Sequence, residues 1–142
     1  MTVFTAYNQR TRGGAYVLWR DLVVRLGQHP AFDLVYASPE AISGAEGRHC
    51  RIPHPDRSRR LGTLLFLSRL FCKACFSWKP PAGSVVISQG NLYNLALAPL
   101  CWKGARMLTI IHGDYLLEYE RNRHPGWLKA IVHRLLIRAY RR

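Results

Sequence analysis

Short runs of β-branched and aromatic residues alternate along the chain with longer stretches in which apolar residues recur every three or four positions. That alternation predicts an α/β domain built on a parallel sheet. The first run, Val3-Phe4-Thr5-Ala6-Tyr7, enters a polar loop through Arg12, Gly13 and Gly14. From there Ala15, Leu18, Trp19, Leu22, Val23 and Leu26 form a helical stripe, with Asp21, Arg25 and Gln28 on the other side and Gly27 and Pro30 as the stop. Phe32 to Ala37 reads as a second strand and Ser38 to Gly47 as a loop. His49 to Ile52 reads as a third strand, stopped by Pro53 and Pro55.

A long helical pattern runs from Leu61 to Trp78 behind the basic start Arg57, Arg59, Arg60, and Pro80 and Pro81 close it. Ser84 to Ser88 is a continuous apolar run of the kind buried on both faces of a parallel sheet. Gly90 and Asn91 turn it into a short helix, Leu92 to Trp102, and Met107 to Ile111 reads as a fifth strand that delivers the chain into His112-Gly113-Asp114-Tyr115. A last helix opens at Pro125 and carries the stripe Leu128, Ile131, Val132, Leu135, Leu136 and Ala139. With no internal repeat, low-complexity tract or linker, the whole of 1–142 reads as one domain. Ligands of such sheets bind at the carboxyl ends of the strands. Gly13-Gly14, Gln89-Gly90-Asn91 and His112-Gly113-Asp114 all fall there.

Charge narrows the partners. The 142 residues carry 21 Lys plus Arg against 8 Asp plus Glu, a formal net charge of +13. A phosphate-rich partner is implied: a nucleic acid, an anionic membrane or a nucleotide diphosphate. The basic residues are spread along the chain and no helix-turn-helix, zinc finger or RNA-binding sheet signature is present, which speaks against nucleic acid. Met1 to Tyr7 is far too short for a signal peptide's apolar region, so export is not expected and a cytoplasmic location is. Leu61 to Trp78 is broken by Arg69 and Lys73 and does not read as a membrane span. The basic, aromatic-rich stretch 57–79 fits a helix lying on the inner face of an anionic membrane, and equally a core helix with a solvated basic edge. Cys72-x-x-Cys75 has no second pair at zinc spacing, so no metal is expected and the cysteines are read as thiols.

The order strand, loop ending in Gly13-Gly14, helix, then FDLVYAS resembles the start of glycosyltransferase family 4 proteins, in which a Gly-Gly pair opens the first helix. SVVISQGNLYNLALAPLCWKGARMLTIIHGDYLLE resembles that family's strand, small polar turn, helix, strand and histidine-containing loop. The resemblance extends from about Val3 to Arg142; residues 48–79 match poorly, and Ala15-Tyr16 stands where many members carry an acidic or small polar pair. It implies a Rossmann-like parallel sheet of about five strands with helices on both faces, the amino-terminal, acceptor-side half of a GT-B fold without its last strand. It further implies transfer of a sugar from a nucleotide sugar to a glycan or lipid-linked acceptor, with no cofactor. The donor-binding carboxyl-terminal domain would be supplied in cis or by a second polypeptide, and the chain alone would be inactive.

Site roles follow from position and from this resemblance. Glycines before a helix let backbone N–H groups and the helix dipole approach a phosphate, with Arg12 adding charge. An ordinary glycine turn would look the same. By resemblance His112 contacts the transferred sugar or polarises the reacting centre; Asp114 can take a proton from an acceptor hydroxyl, or merely shape the turn. Gln89 and Asn91 can bond acceptor hydroxyls, while Asn91 can equally be a helix N-cap. The rival classes are a non-catalytic membrane-docking module and a basic nucleic-acid-binding module.

Overall fold

Strands that are apolar at nearly every position must be covered on both faces, and the structure supplies the covers. A computed structural model of the chain describes residues 1–8, 14–54 and 59–110. Five strands, β1 (Thr2–Ala6), β2 (Asp33–Ser38), β3 (Arg48–Arg51), β4 (Val85–Gln89) and β5 (Arg106–Ile110), form one sheet. Their order is β3-β2-β1-β4-β5, and every neighbouring pair is parallel. Three helices connect them: α1 (Gly14–Gln28), α2 (Arg59–Phe76) and α3 (Asn91–Trp102). This is a Rossmann-like α/β arrangement. The chain divides after Ile110, and the whole sheet belongs to the first unit, Met1–Ile110. The predicted last helix and the loop at His112 lie outside the described residues.

Side chains alternate across each strand, so the two faces collect different partners. Phe4, Val35 and Val86 point to one side and pack with Phe66 and Leu70 of α2 and Leu97 and Leu100 of α3. Val3, Leu34, Tyr36 and Ile87 point to the other and pack with Trp19 and Val23 of α1. Trp19 is fully buried, and its indole N–H donates to the buried Thr5 hydroxyl at 3.0 Å. The stripe expected on α1 is rotated by part of a turn: Leu18 is 58% exposed, and Tyr16 packs against the core in its place. Centring the buried face on the large Trp19 and Val23 carries Leu18 round to the solvent side.

The carboxyl end of α2 is closed by a residue from the far end of α3. The Lys103 ammonium donates to the carbonyls of Ala74 (2.7 Å), Cys75 (2.6 Å) and Trp78 (2.8 Å). The last carbonyls of a helix lack intrahelical partners and carry the negative end of its dipole, so a cation there is favoured. Lys103→Met is expected to lower unfolding stability by about 1–2 kcal/mol. Guanidinium denaturation checks this, and an unchanged midpoint would show that water replaces the ammonium at no cost.

Among the described residues no helix is long and apolar enough to cross a membrane, and no group of three His, Cys, Asp or Glu side chains is placed to hold a metal ion. The four cysteines are free thiols, with Cys50 buried.

Candidate functional site

β1 and β4 are hydrogen-bonded neighbours, yet the chain leaves them in opposite directions, from β1 toward β2 by way of α1 and from β4 toward β5 by way of α3. α1 covers one face of the sheet and α3 the other. In open parallel sheets that reversal is where ligands bind.

The switch point is built from aromatic and amide groups. Tyr7, just past β1, stacks on Tyr93 of α3 with ring centroids 5.5 Å apart and planes 6° from parallel. Asn8 is fully buried; its backbone N–H donates to the Tyr93 hydroxyl at 2.9 Å, and its side-chain amide donates to the Thr63 hydroxyl of α2 at 3.4 Å. Burial pushes the Tyr93 phenol well above its ordinary pKa, more than the Asn8 N–H lowers it, so Tyr93 stays neutral and serves as acceptor. These contacts tie β1, α2 and α3 together at the point where the sheet reverses.

The β4 side is equally polar. Ser88 and Thr109 both donate to the side-chain carbonyl of Asn94, the latter at 3.1 Å. Gly90 turns the chain from β4 into α3 with φ of 85°, a conformation that glycine adopts without steric penalty. Gly90 is also the N-cap of α3, so Asn91 is the first helical residue and not the cap; the backbone carbonyl of Gly90 accepts from the Asn94 N–H at 3.2 Å.

Of the residues singled out in the sequence, Gln89 ends β4 and is 6% exposed, and Asn91 opens α3. Gly14 opens α1, and a Cβ built there would meet nothing within 4 Å, so packing does not require glycine at that position. The ends of β4 and β1 that carry these elements are adjacent in the sheet. Arg12, Gly13, His112 and Asp114, together with the side chain of Asn91, lie outside the described residues.

Three features of this rim were not legible in the sequence. Tyr93 and Asn8 meet across 85 positions, and nothing in either local pattern marks the pair. The His54 ring rests on Gly62 of α2, where a Cβ would collide with it, and among the described residues neither of its buried ring nitrogens has a hydrogen-bond partner. His49 sits with Nε2 at 3.1 Å from the Ser38 hydroxyl and 3.3 Å from the Ser38 carbonyl, its ring stacked on Tyr36. That serine is not an activated nucleophile. Its hydroxyl proton is committed to the Glu40 carbonyl at 2.6 Å, which leaves the histidine as donor and makes the pair a clamp between β2 and β3.

A cavity of about 320 Å³ opens at the opposite, amino-terminal edge, between Phe4, Val35, Arg48, Trp78 and Lys79. Its carboxylate, Asp33, already accepts from Arg48 at 3.4 Å and from Thr2 at 3.3 Å. The candidate site is therefore assigned to the switch point, where polar groups from several elements converge, and not to this cavity. Comparison with protein-family models, with curated proteins and with solved structures finds no match for this chain.

Proposed function

We propose that this chain is the acceptor-side, Rossmann-like domain of a glycosyltransferase that moves a sugar from a nucleotide-sugar donor to a glycan or lipid-linked acceptor. The observation that carries the reading is the switch point itself. A parallel sheet of order β3-β2-β1-β4-β5 reverses between β1 and β4, with a helix that opens on Gly14 leaving one side and a Gly90 turn leaving the other. The glycosyltransferase family 4 resemblance puts its glycine pair and its small polar turn at these same two positions.

In this reading Gly13, Gly14 and the first N–H groups of α1 face the donor diphosphate, with Arg12 adding positive charge. Gln89 and Asn91 hold acceptor hydroxyls. Asp114 takes the proton of the attacking hydroxyl as its oxygen bonds to the anomeric carbon; the bond from that carbon to the diphosphate breaks, and the nucleoside diphosphate leaves with the electron pair. His112 contacts the transferred sugar or polarises the reacting centre. The leaving charge is met by arginine and the helix dipole, so the reaction needs no metal or other cofactor. A second domain, in cis or as a separate polypeptide, supplies the rest of the donor site.

The test is acceptor-dependent release of nucleoside diphosphate from a panel of uridine, guanosine and adenosine diphosphate sugars. It is run on the chain alone and on the chain joined to or mixed with a second Rossmann-like domain encoded beside it. Release is expected from the pair and not from the chain alone. Release from neither, with both partners folded, would overturn the reading.

A further inference from the structure

α2 and α3 turn toward solvent a surface poorly suited to water. Phe66, Leu70 and Ala74 of α2 face the sheet, as a helix packed on one side should. At about 3.6 residues per turn, Leu61, Leu64, Phe71 and Phe76 recur on the other side, and all four are exposed, Phe76 by 83%. Two polar residues of this stretch are occupied within the domain. Ser68 returns its hydroxyl to the Leu64 carbonyl at 2.9 Å, and Arg69 reaches back to the Pro53 carbonyl at 2.9 Å. α3 contains no charged residue at all, and Leu92, Leu95 and Trp102 are exposed along it, Trp102 by 74%. The Trp102 ring stands edge-on to Phe71 with centroids 6.4 Å apart, which joins the outer faces of the two helices. A helix apolar on every side is normally covered, and contiguous exposed apolar surface marks a place of interaction.

Charge selects what covers it. From Arg57 to Gly113, the segment that builds α2, β4, α3 and β5, the sequence contains no Asp or Glu and eight Lys or Arg. All eight carboxylate side chains of the protein lie outside that segment. A second copy of the same face would bring cation against cation. An anionic lipid surface matches both properties: leucine and aromatic rings enter the acyl boundary, while the lysine and arginine side chains of this segment supply the positive charge that anionic headgroups attract. No described helix is long and apolar enough to span, so the contact is one of lying on the bilayer.

We propose that the outer face of α2 and α3, centred on Phe71, Phe76 and Trp102, docks this protein onto an anionic lipid bilayer. This rests on the surface alone and stands or falls separately from the transfer reaction.

The experiment is co-sedimentation of the full chain with sucrose-loaded vesicles of phosphatidylcholine, with and without about one-third phosphatidylglycerol, at about 0.1 M and about 0.5 M NaCl. Binding is expected on the anionic vesicles at low salt, with about tenfold or greater weakening on neutral vesicles, at high salt, and in Phe76→Ser/Trp102→Ser. Both residues are exposed, so the variant should keep the wild-type thermal unfolding curve; Leu64→Ser/Leu95→Ser provides an independent lesion on the same face. Equal binding to neutral and anionic vesicles would overturn the proposal. So would wild-type binding by both folded double variants, which would leave the net charge alone responsible, or a wild-type homodimer that ignores vesicles and becomes monomeric in the variants.

Discussion

Replacing Gly13 and Gly14 together by valine is expected to lower the proposed sugar transfer by about two orders of magnitude or more, because it blocks the approach of the diphosphate to backbone donors that stabilise a charge growing in the transition state. The fold should survive. A Cβ at Gly14 meets no described atom within 4 Å, so the glycine there is not a packing requirement. Two branched side chains there hold the phosphate away from the N–H groups and shield it from the helix dipole. The measurement is kcat/KM for the nucleotide sugar in the two-domain enzyme, beside the thermal unfolding of the variant. Unchanged turnover in a folded variant would remove the phosphate role from this loop.

Trp19→Ala is expected to cost about 3–5 kcal/mol, a large share of the total stability of a domain of this size. Trp19 is fully buried between α1 and the sheet, stacks on Tyr7 at 5.6 Å and lies against the edge of Tyr36. Its removal leaves a void that the relatively rigid strands cannot close. It also strands the Thr5 hydroxyl in the interior without its 3.0 Å partner. Trp19→Phe separates the two contributions: it keeps most of the apolar contact and loses the hydrogen bond, for about 1–3 kcal/mol. Guanidinium unfolding of both variants checks the pair. A loss below about 1 kcal/mol for Trp19→Ala would show that α1 is a loosely held cover and not part of the core.

The proposed transfer site and the proposed docking surface use different parts of the domain. The switch point lies at the carboxyl ends of β1 and β4, whereas the apolar face lies on the outer side of α2 and α3. Tyr93 of α3 and Thr63 of α2 reach the switch point through Asn8, so the helices that carry the exposed face also frame the candidate site.

Local pattern alone was sufficient for the strands and helices of the described residues. The apolar runs at Val3, Leu34 and Val85 mark strands that need cover on both faces, and Pro53 and Gly90 end or turn their segments because glycine and proline change what the backbone can do next. Each of these signals is written within a single element, where neighbours in sequence are neighbours in space. Gly27 does not stop α1: it lies inside the helix, where a Cβ would collide with the backbone of Glu46. Strand order, the departure of α1 and α3 to opposite faces, and the switch point this creates are decided by which apolar faces pack together. The same holds for finer detail. Leu18 turns outward because Trp19 claims the core; Asn91 yields the cap to Gly90 because the turn needs a positive φ; His49 is committed to Ser38 only once β3 lies beside β2. The apolar exterior of α2 was ambiguous between core and membrane because periodicity reports only that a helix has apolar sides. Once the sheet has taken Phe66 and Leu70, what remains outside, Leu64, Phe71 and Phe76 beside Trp102 of α3, becomes a surface in its own right. That distinction depends on which side the tertiary fold uses first.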